Sequence, residues 1–169
     1  MTPLYLFILL PVTLAGILHM LVVRKKLAEG LAVPVAPRIL GRNKTWRGML
    51  FMPLCTALLS VLFSGLPEGQ PAWESGLSGW WTGMAYVLAE WPNSWLKRRL
   101  GAAEGERPQG YTWGFIVVDK TDSALGVSWA AWYLYGLSFG QWAVVFIAGV
   151  GLHVALSLLL VRLGIKRSF

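Results

Sequence analysis

The chain has 169 residues, room for one domain spanning 1–169. Its composition is 56% hydrophobic and 14% charged with a mean hydropathy of +0.56, against about 25% charged residues in ordinary soluble domains, which excludes a water-soluble core and predicts an all-α integral membrane protein. The net charge of +7 would suggest nucleic acid in a soluble chain, but here the basic residues lie between apolar runs, so no nucleic acid is expected and the partners are membrane lipids and phosphorylated ligands.

About five transmembrane helices follow from the apolar runs. Residues 4–23 are uncharged and long enough to span, with Pro11 as a kink point. No basic start precedes this run, and Arg24, Lys25 and Lys26 follow it, so it reads as a retained helix and not a cleaved signal. Residues 49–66 form the second span and 76–91 a shorter third, joined by an external Gly- and Pro-rich loop over 66–79. Gly79 and Gly83 would let helices approach closely.

Residues 111–137 would make a helix of about 40 Å, too long for an untilted span. The expected division puts 111–118 in the interface or re-entering it, with the fourth span starting near Asp119. Residues 141–163 are the fifth span. Cys55, the single cysteine, excludes an intrachain disulfide and reads as a small helix-core residue.

All 15 basic residues fall on one side of this arrangement. They occupy the loop between spans one and two, the segment from Lys97 to Lys120, and the tail with Arg162, Lys166 and Arg167. The two other loops hold none, and the first of them carries Glu68 and Glu74. The positive-inside rule therefore puts the N-terminus outside and the C-terminus in the cytoplasm of a multi-pass cell-membrane protein. Trp80, Trp81 and Trp142 at the outer edge and Trp46, Trp95 and Trp113 at the inner edge form an aromatic belt.

Three cytoplasmic motifs carry chemistry. GRNKTWRG, residues 41–48, brackets Arg42, Lys44 and Arg47 with glycines, beside Asn43 and Thr45. Such a loop can meet a phosphate chain with several cations, or more plainly touch lipid headgroups. It is not a Walker A loop, since Asn43 stands where that motif needs glycine. In EWPNSWLKRR, residues 90–99, Pro92 removes a helical donor, predicting a kink or restart. Asn93, Ser94 and Lys97 share a helical face with Glu90. In DKTDS, residues 119–123, Asp119 and Asp122 share a face through i, i+3 spacing. Two such charges entering lipid need a cation, either Lys120 or a divalent metal.

Glu90, Asp119 and Asp122 beside many cations are the inventory for metal-assisted phosphoryl chemistry, and oxygen ligands favour Mg²⁺. His19 and His153, inside spans one and five, read as packing or helix-contact residues.

In order and wording these motifs resemble the CDP-archaeol synthase family, small membrane cytidylyltransferases related to the CDP-diacylglycerol synthases. The matching pieces are NKTWRG (43–48), NSWLKRRLG (93–101), DKTDS (119–123) and LGIK (163–166). The resemblance implies transfer of CMP from CTP to a lipid phosphate, with Mg²⁺ and release of pyrophosphate. It implies metal ligation by Glu90, Asp119 and Asp122, and catalytic roles for Lys44, Asp119 and Asp122. Substrate binding would fall to Asn43, Lys44, Thr45, Arg47, Ser94, Lys97 and Arg98. Glu90 stands where archaeal members tend to show Asp, and Ser157 where an Asn is common, so an ether, ester or isoprenoid lipid phosphate is open as substrate. A homo-oligomer is open as well. The rival from another class is an ion- or proton-coupled transporter using the three carboxylates as a relay. A CDP-alcohol phosphotransferase is the chemical rival, but its long Asp-Gly signature is absent.

Overall fold

A computed structural model describes residues 2–66, 70–103 and 106–164. Among these the protein is all-α, with six α-helices and no named strand. The helices are α1 (Thr2–Arg24), α2 (Pro37–Leu40), α3 (Trp46–Leu62), α4 (Ala72–Arg99), α5 (Thr112–Tyr135) and α6 (Phe139–Arg162). A short 3₁₀ turn at Glu29–Leu31 precedes α2. Glu68, Lys166, Arg167 and the end of the LGIK motif lie outside the described residues.

Two helices, α1 and α6, are long and apolar enough to cross a membrane, and α3 is a shorter apolar helix. α6 begins at Phe139 because Ser138 and Gln141 form a reciprocal capping box, at 2.7 and 3.3 Å. α5 stops at Gly136, whose φ of 59° lies in the left-handed region that suits glycine.

Two expected divisions of the chain are corrected. The segment 111–118 is not set off from the helix that follows: α5 runs unbroken from Thr112 to Tyr135. Pro108 and Gly110 fall before it, and no proline interrupts it. Asp119 therefore sits roughly 10 Å along the helix. Likewise α4 continues through Pro92 to Arg99, without a restart. Its N-terminus at Ala72 also takes over much of the expected external loop.

α3 packs chiefly on α4, α4 on α5, α5 on α6 and α1 on α3, while α1 and α6 touch lightly. The close seams depend on missing side chains. A Cβ on Gly83 would stand 2.7 Å from the Cα of Pro53, and one on Gly79 2.7 Å from the Cβ of Ser60. Gly126 of α5 is pressed against Ala85 and Ala89 of α4 in the same way. The expected close approach at Gly79 and Gly83 is thus seen, between α4 and α3.

Burial is inverted relative to a soluble bundle. Ser75, Ser123 and Ser128 are fully buried, whereas Leu58 is 72% exposed, Leu62 73% and Tyr133 90%. Several buried hydroxyls bond backbone carbonyls in their own helix, as Thr56 does to Met52 at 2.7 Å and Thr82 to Ser78 at 2.8 Å. A smaller apolar core, including Ile8, Val12, Met52, Val127 and Val145, ties α1, α3, α5 and α6 together.

Candidate functional site

The three motifs converge on one polar cleft of about 430 Å³. It is framed by the loop before α3, the C-terminal part of α4 and the first half of α5.

The loop is held by its backbone. Val35 N–H donates to the Lys44 carbonyl at 2.8 Å, and Trp46 N–H to the Val33 carbonyl at 3.0 Å. Gly41 has φ +83°, a conformation most side chains avoid, and the Arg98 side chain packs on it 3.6 Å from where a Cβ would stand. Thr45 shapes the helix start, because its hydroxyl accepts from Gly48 N–H at 3.4 Å and caps α3. Asn43, Lys44 and Thr45 all line the cleft. Arg47 is not among the lining residues; its guanidinium donates to the Leu27 carbonyl at 3.1 Å.

From α4 come Glu90, Asn93, Ser94, Lys97 and Arg98, every one on the cleft wall. The Glu90 carboxylate pairs with Lys44. Asn93 is buried, and its amide group donates to Asp119 Oδ1 at 2.7 Å and to Asp122 Oδ2 at 2.8 Å. Asp119 and Asp122 do share a face of α5, and this one amide spans both. The remaining oxygen of Asp122 accepts from the Ser123 backbone N–H at 2.7 Å.

The sequence offers Lys120 or a divalent metal to neutralise these carboxylates; in the fold Asp119 pairs with Lys97 and, at 3.2 Å, with Arg107. Lys97 also lies 5.7 Å from the centre of the Phe115 ring. Lys120 is buried on the cleft wall. Asn93 and Arg107 are absent from the expected metal-binding and substrate-binding sets; the shared face of Asn93 with Glu90 is the available signal, while Arg107 has none beyond its charge.

His19 and His153 make helix contacts, as expected, yet both also border the cleft. The His19 ring lies beside Phe51 at 5.7 Å and against Gly48, where a Cβ would stand 3.3 Å away. His153 Nδ1 and the Ser123 hydroxyl are 3.3 Å apart.

Among the described residues, no three of His, Cys, Asp and Glu are grouped so as to hold a metal ion. Glu90 is engaged with Lys44. Asp119 and Asp122 form a two-carboxylate set beside Asn93, whose Oδ1 is buried without a partner. Mg²⁺ suits such a set, since it takes one or two carboxylates and completes its shell with water and substrate phosphates. The Arg98 Nε is a further buried atom without a partner on this wall.

No known protein family, curated protein or solved structure matches the chain.

Proposed function

We propose that the protein is a multi-pass membrane cytidylyltransferase that transfers CMP from CTP to a lipid phosphate, releasing pyrophosphate, as the CDP-archaeol synthase family does. The observation that carries this reading is the convergence of two cationic segments with Glu90, Asp119 and Asp122 on one cleft.

The membrane setting is supported by the inverted burial. Large apolar side chains such as Leu58 and Leu62 face outward, while small and polar residues mediate helix contacts. In this reading α1, α3, α4, α5 and α6 are the five spans, with the cleft on the cytoplasmic side. Exposed Trp46, Trp95 and Trp113 sit near its level as interfacial anchors.

The chemistry follows from charge. A phosphomonoester has a second pKa of about 6 and is already largely dianionic at neutral pH. It needs relief from repulsion by the triphosphate more than it needs a base. Lys44, Lys97 and Arg98 supply cations from two directions, and Arg107 holds Asp119 in place. Mg²⁺, when bound by Asp119 and Asp122, supplies further screening of phosphate charge. Asn93 orients both carboxylates with one amide, so each keeps its geometry as substrate arrives.

A transporter relay would need carboxylates reachable from both faces. Glu90, Asp119 and Asp122 instead gather near the C-terminus of α4 and the first half of α5. The deciding experiment incubates purified protein with labelled CTP, Mg²⁺ and a panel of ether, ester and isoprenoid phosphates. Labelled CDP-lipid from at least one of them is the expected product; none from any would sink the proposal.

A further inference from the structure

Beside the polar cleft lies a second cavity, of about 140 Å³. α1 and α6 form its walls, with Leu9, Val12 and Ile17 on one side and Leu152 and Leu156 on the other, and Val127 of α5 behind. Gly16, Met20, Tyr86 and His153 border both cavities, so the two lie side by side with these residues at their junction. The lining extends over residues 9–20 of α1 and 149–160 of α6, each roughly 16 Å of helix.

The seam is loose because α1 packs on α3 and touches α6 lightly. Small residues widen it: Gly16 has nothing within 4 Å of where its Cβ would stand. At the junction, the polar atoms of Ser123 and His153 are engaged with each other.

Each of the two neighbouring cavities selects a different chemistry. The cleft, lined by Lys44, Lys97 and Arg98, attracts an anion and rejects hydrocarbon. The slot offers apolar wall, and filling it with hydrocarbon gains about 25 cal/mol per Å² removed from water. A single occupant of both is an amphiphile with a phosphate head and an apolar chain. We infer that the slot between α1 and α6 takes one hydrocarbon chain of the lipid phosphate, while its head lies in the cleft. This rests on the lipid-phosphate reading above and adds to it that one chain leaves the bilayer to lie inside the protein.

The test uses the full chain in lipid nanodiscs and a phosphatidic acid carrying a diazirine midway along one chain. Photolabel mapped by mass spectrometry should fall on Val12, Ile17 or Leu156. Gly16→Leu fills open space at the junction and should cut that label at least about tenfold, while Gly16→Ala keeps it within about twofold. In turnover, Gly16→Leu should raise KM for a long-chain lipid phosphate about tenfold more than it raises KM for a dibutyryl lipid phosphate. Label confined to outward residues such as Leu58 and Leu62, or undiminished in Gly16→Leu, would overturn the slot. If Gly16→Leu does not fold, the wild-type label map decides alone. Slot labelling in a protein that makes no CDP-lipid would retain the slot and reject the transferase.

Discussion

Lys44 and Glu90, 46 positions apart in the chain, form an ion pair that joins the loop before α3 to α4. Their side chains are 22% and 25% exposed, and pairs open to solvent contribute only about 0–1 kcal/mol. The pair therefore matters more for position than for stability: it holds one cation at the cleft without burying it. Lys44→Ala should lower CDP-lipid formation by about 100-fold or more and shift the thermal midpoint little. Glu74→Ala, in the first turn of α4, should change turnover less than about twofold. Equal activity in the two variants would remove Lys44 from the mechanism.

Asn93 ties the two aspartates of the cleft together, since one amide serves Asp119 and Asp122. Asn93→Ala leaves two neighbouring carboxylates without their shared donor. The loss should be about 1–3 kcal/mol of stability and about 10–100-fold in Mn²⁺ affinity, read by thermal unfolding and by titration. Asn93→Asp sets a further acidic group against Asp119 and Asp122 and should cost activity even where metal binding is retained. Unaltered Mn²⁺ affinity in Asn93→Ala would show that the aspartates do not hold the ion.

Periodicity and spacing made the helices and the shared faces legible. The i, i+3 spacing of Asp119 and Asp122 predicts one face, and the offsets of Asn93, Ser94 and Lys97 from Glu90 predict another. Which face meets which is tertiary information. Nothing in the sequence says that Arg107, 12 positions away, pairs with Asp119. Nor does it say that Arg47 turns to the Leu27 carbonyl. The split of α5 at Asp119 failed for a related reason: a carboxylate inside an apolar helix looks prohibitive until Lys97 approaches it from α4.

The seams between helices give a prediction independent of function. Gly83→Val would drive side-chain atoms into Pro53 and the Met52 carbonyl, and Gly126→Val into Ala85 and Ala89. Each should destabilise by at least about 1–3 kcal/mol, the usual cost of overpacking. Gly140→Ala, with nothing within 4 Å of the new Cβ, should be neutral or slightly stabilising. Thermal unfolding in detergent gives the order. If Gly83→Val were as stable as Gly140→Ala, α3 and α4 would not meet through Gly83.

The proposed topology puts Arg42 and Glu74 on opposite sides of the bilayer. Basic residues cluster around the first, whereas no Lys or Arg lies between Arg47 and Lys97, the stretch that holds the second. Cys55 is replaced by Ser to clear the background, and single cysteines are placed at Arg42 and Glu74. A membrane-impermeant maleimide on intact cells should label the Glu74→Cys variant only. Labelling of the Arg42→Cys variant from outside would invert the orientation and move the cleft away from cytoplasmic CTP.

The same cleft predicts which acceptor is used. An alcohol must lose a proton of high pKa to become a nucleophile, so its transfer calls for a positioned base. Here Glu90 is paired with Lys44, and Asp119 with Lys97 and Arg107. His153 lies against Ser123 at the junction with the apolar slot. A lipid phosphate arrives with its nucleophilic oxygen already ionised, and its charge is what Lys44, Lys97 and Arg98 are placed to meet. With CTP and Mg²⁺, a lipid phosphate should turn over at least about 1,000-fold faster than the alcohol of the same chains. Chelation of divalent metal should abolish the reaction, since the cations of the cleft are already committed in part to carboxylates. Thin-layer separation of labelled products reads both results. CDP-lipid formed in excess EDTA, or equal rates on alcohol and phosphate, would show that charge relief is not how this cleft works.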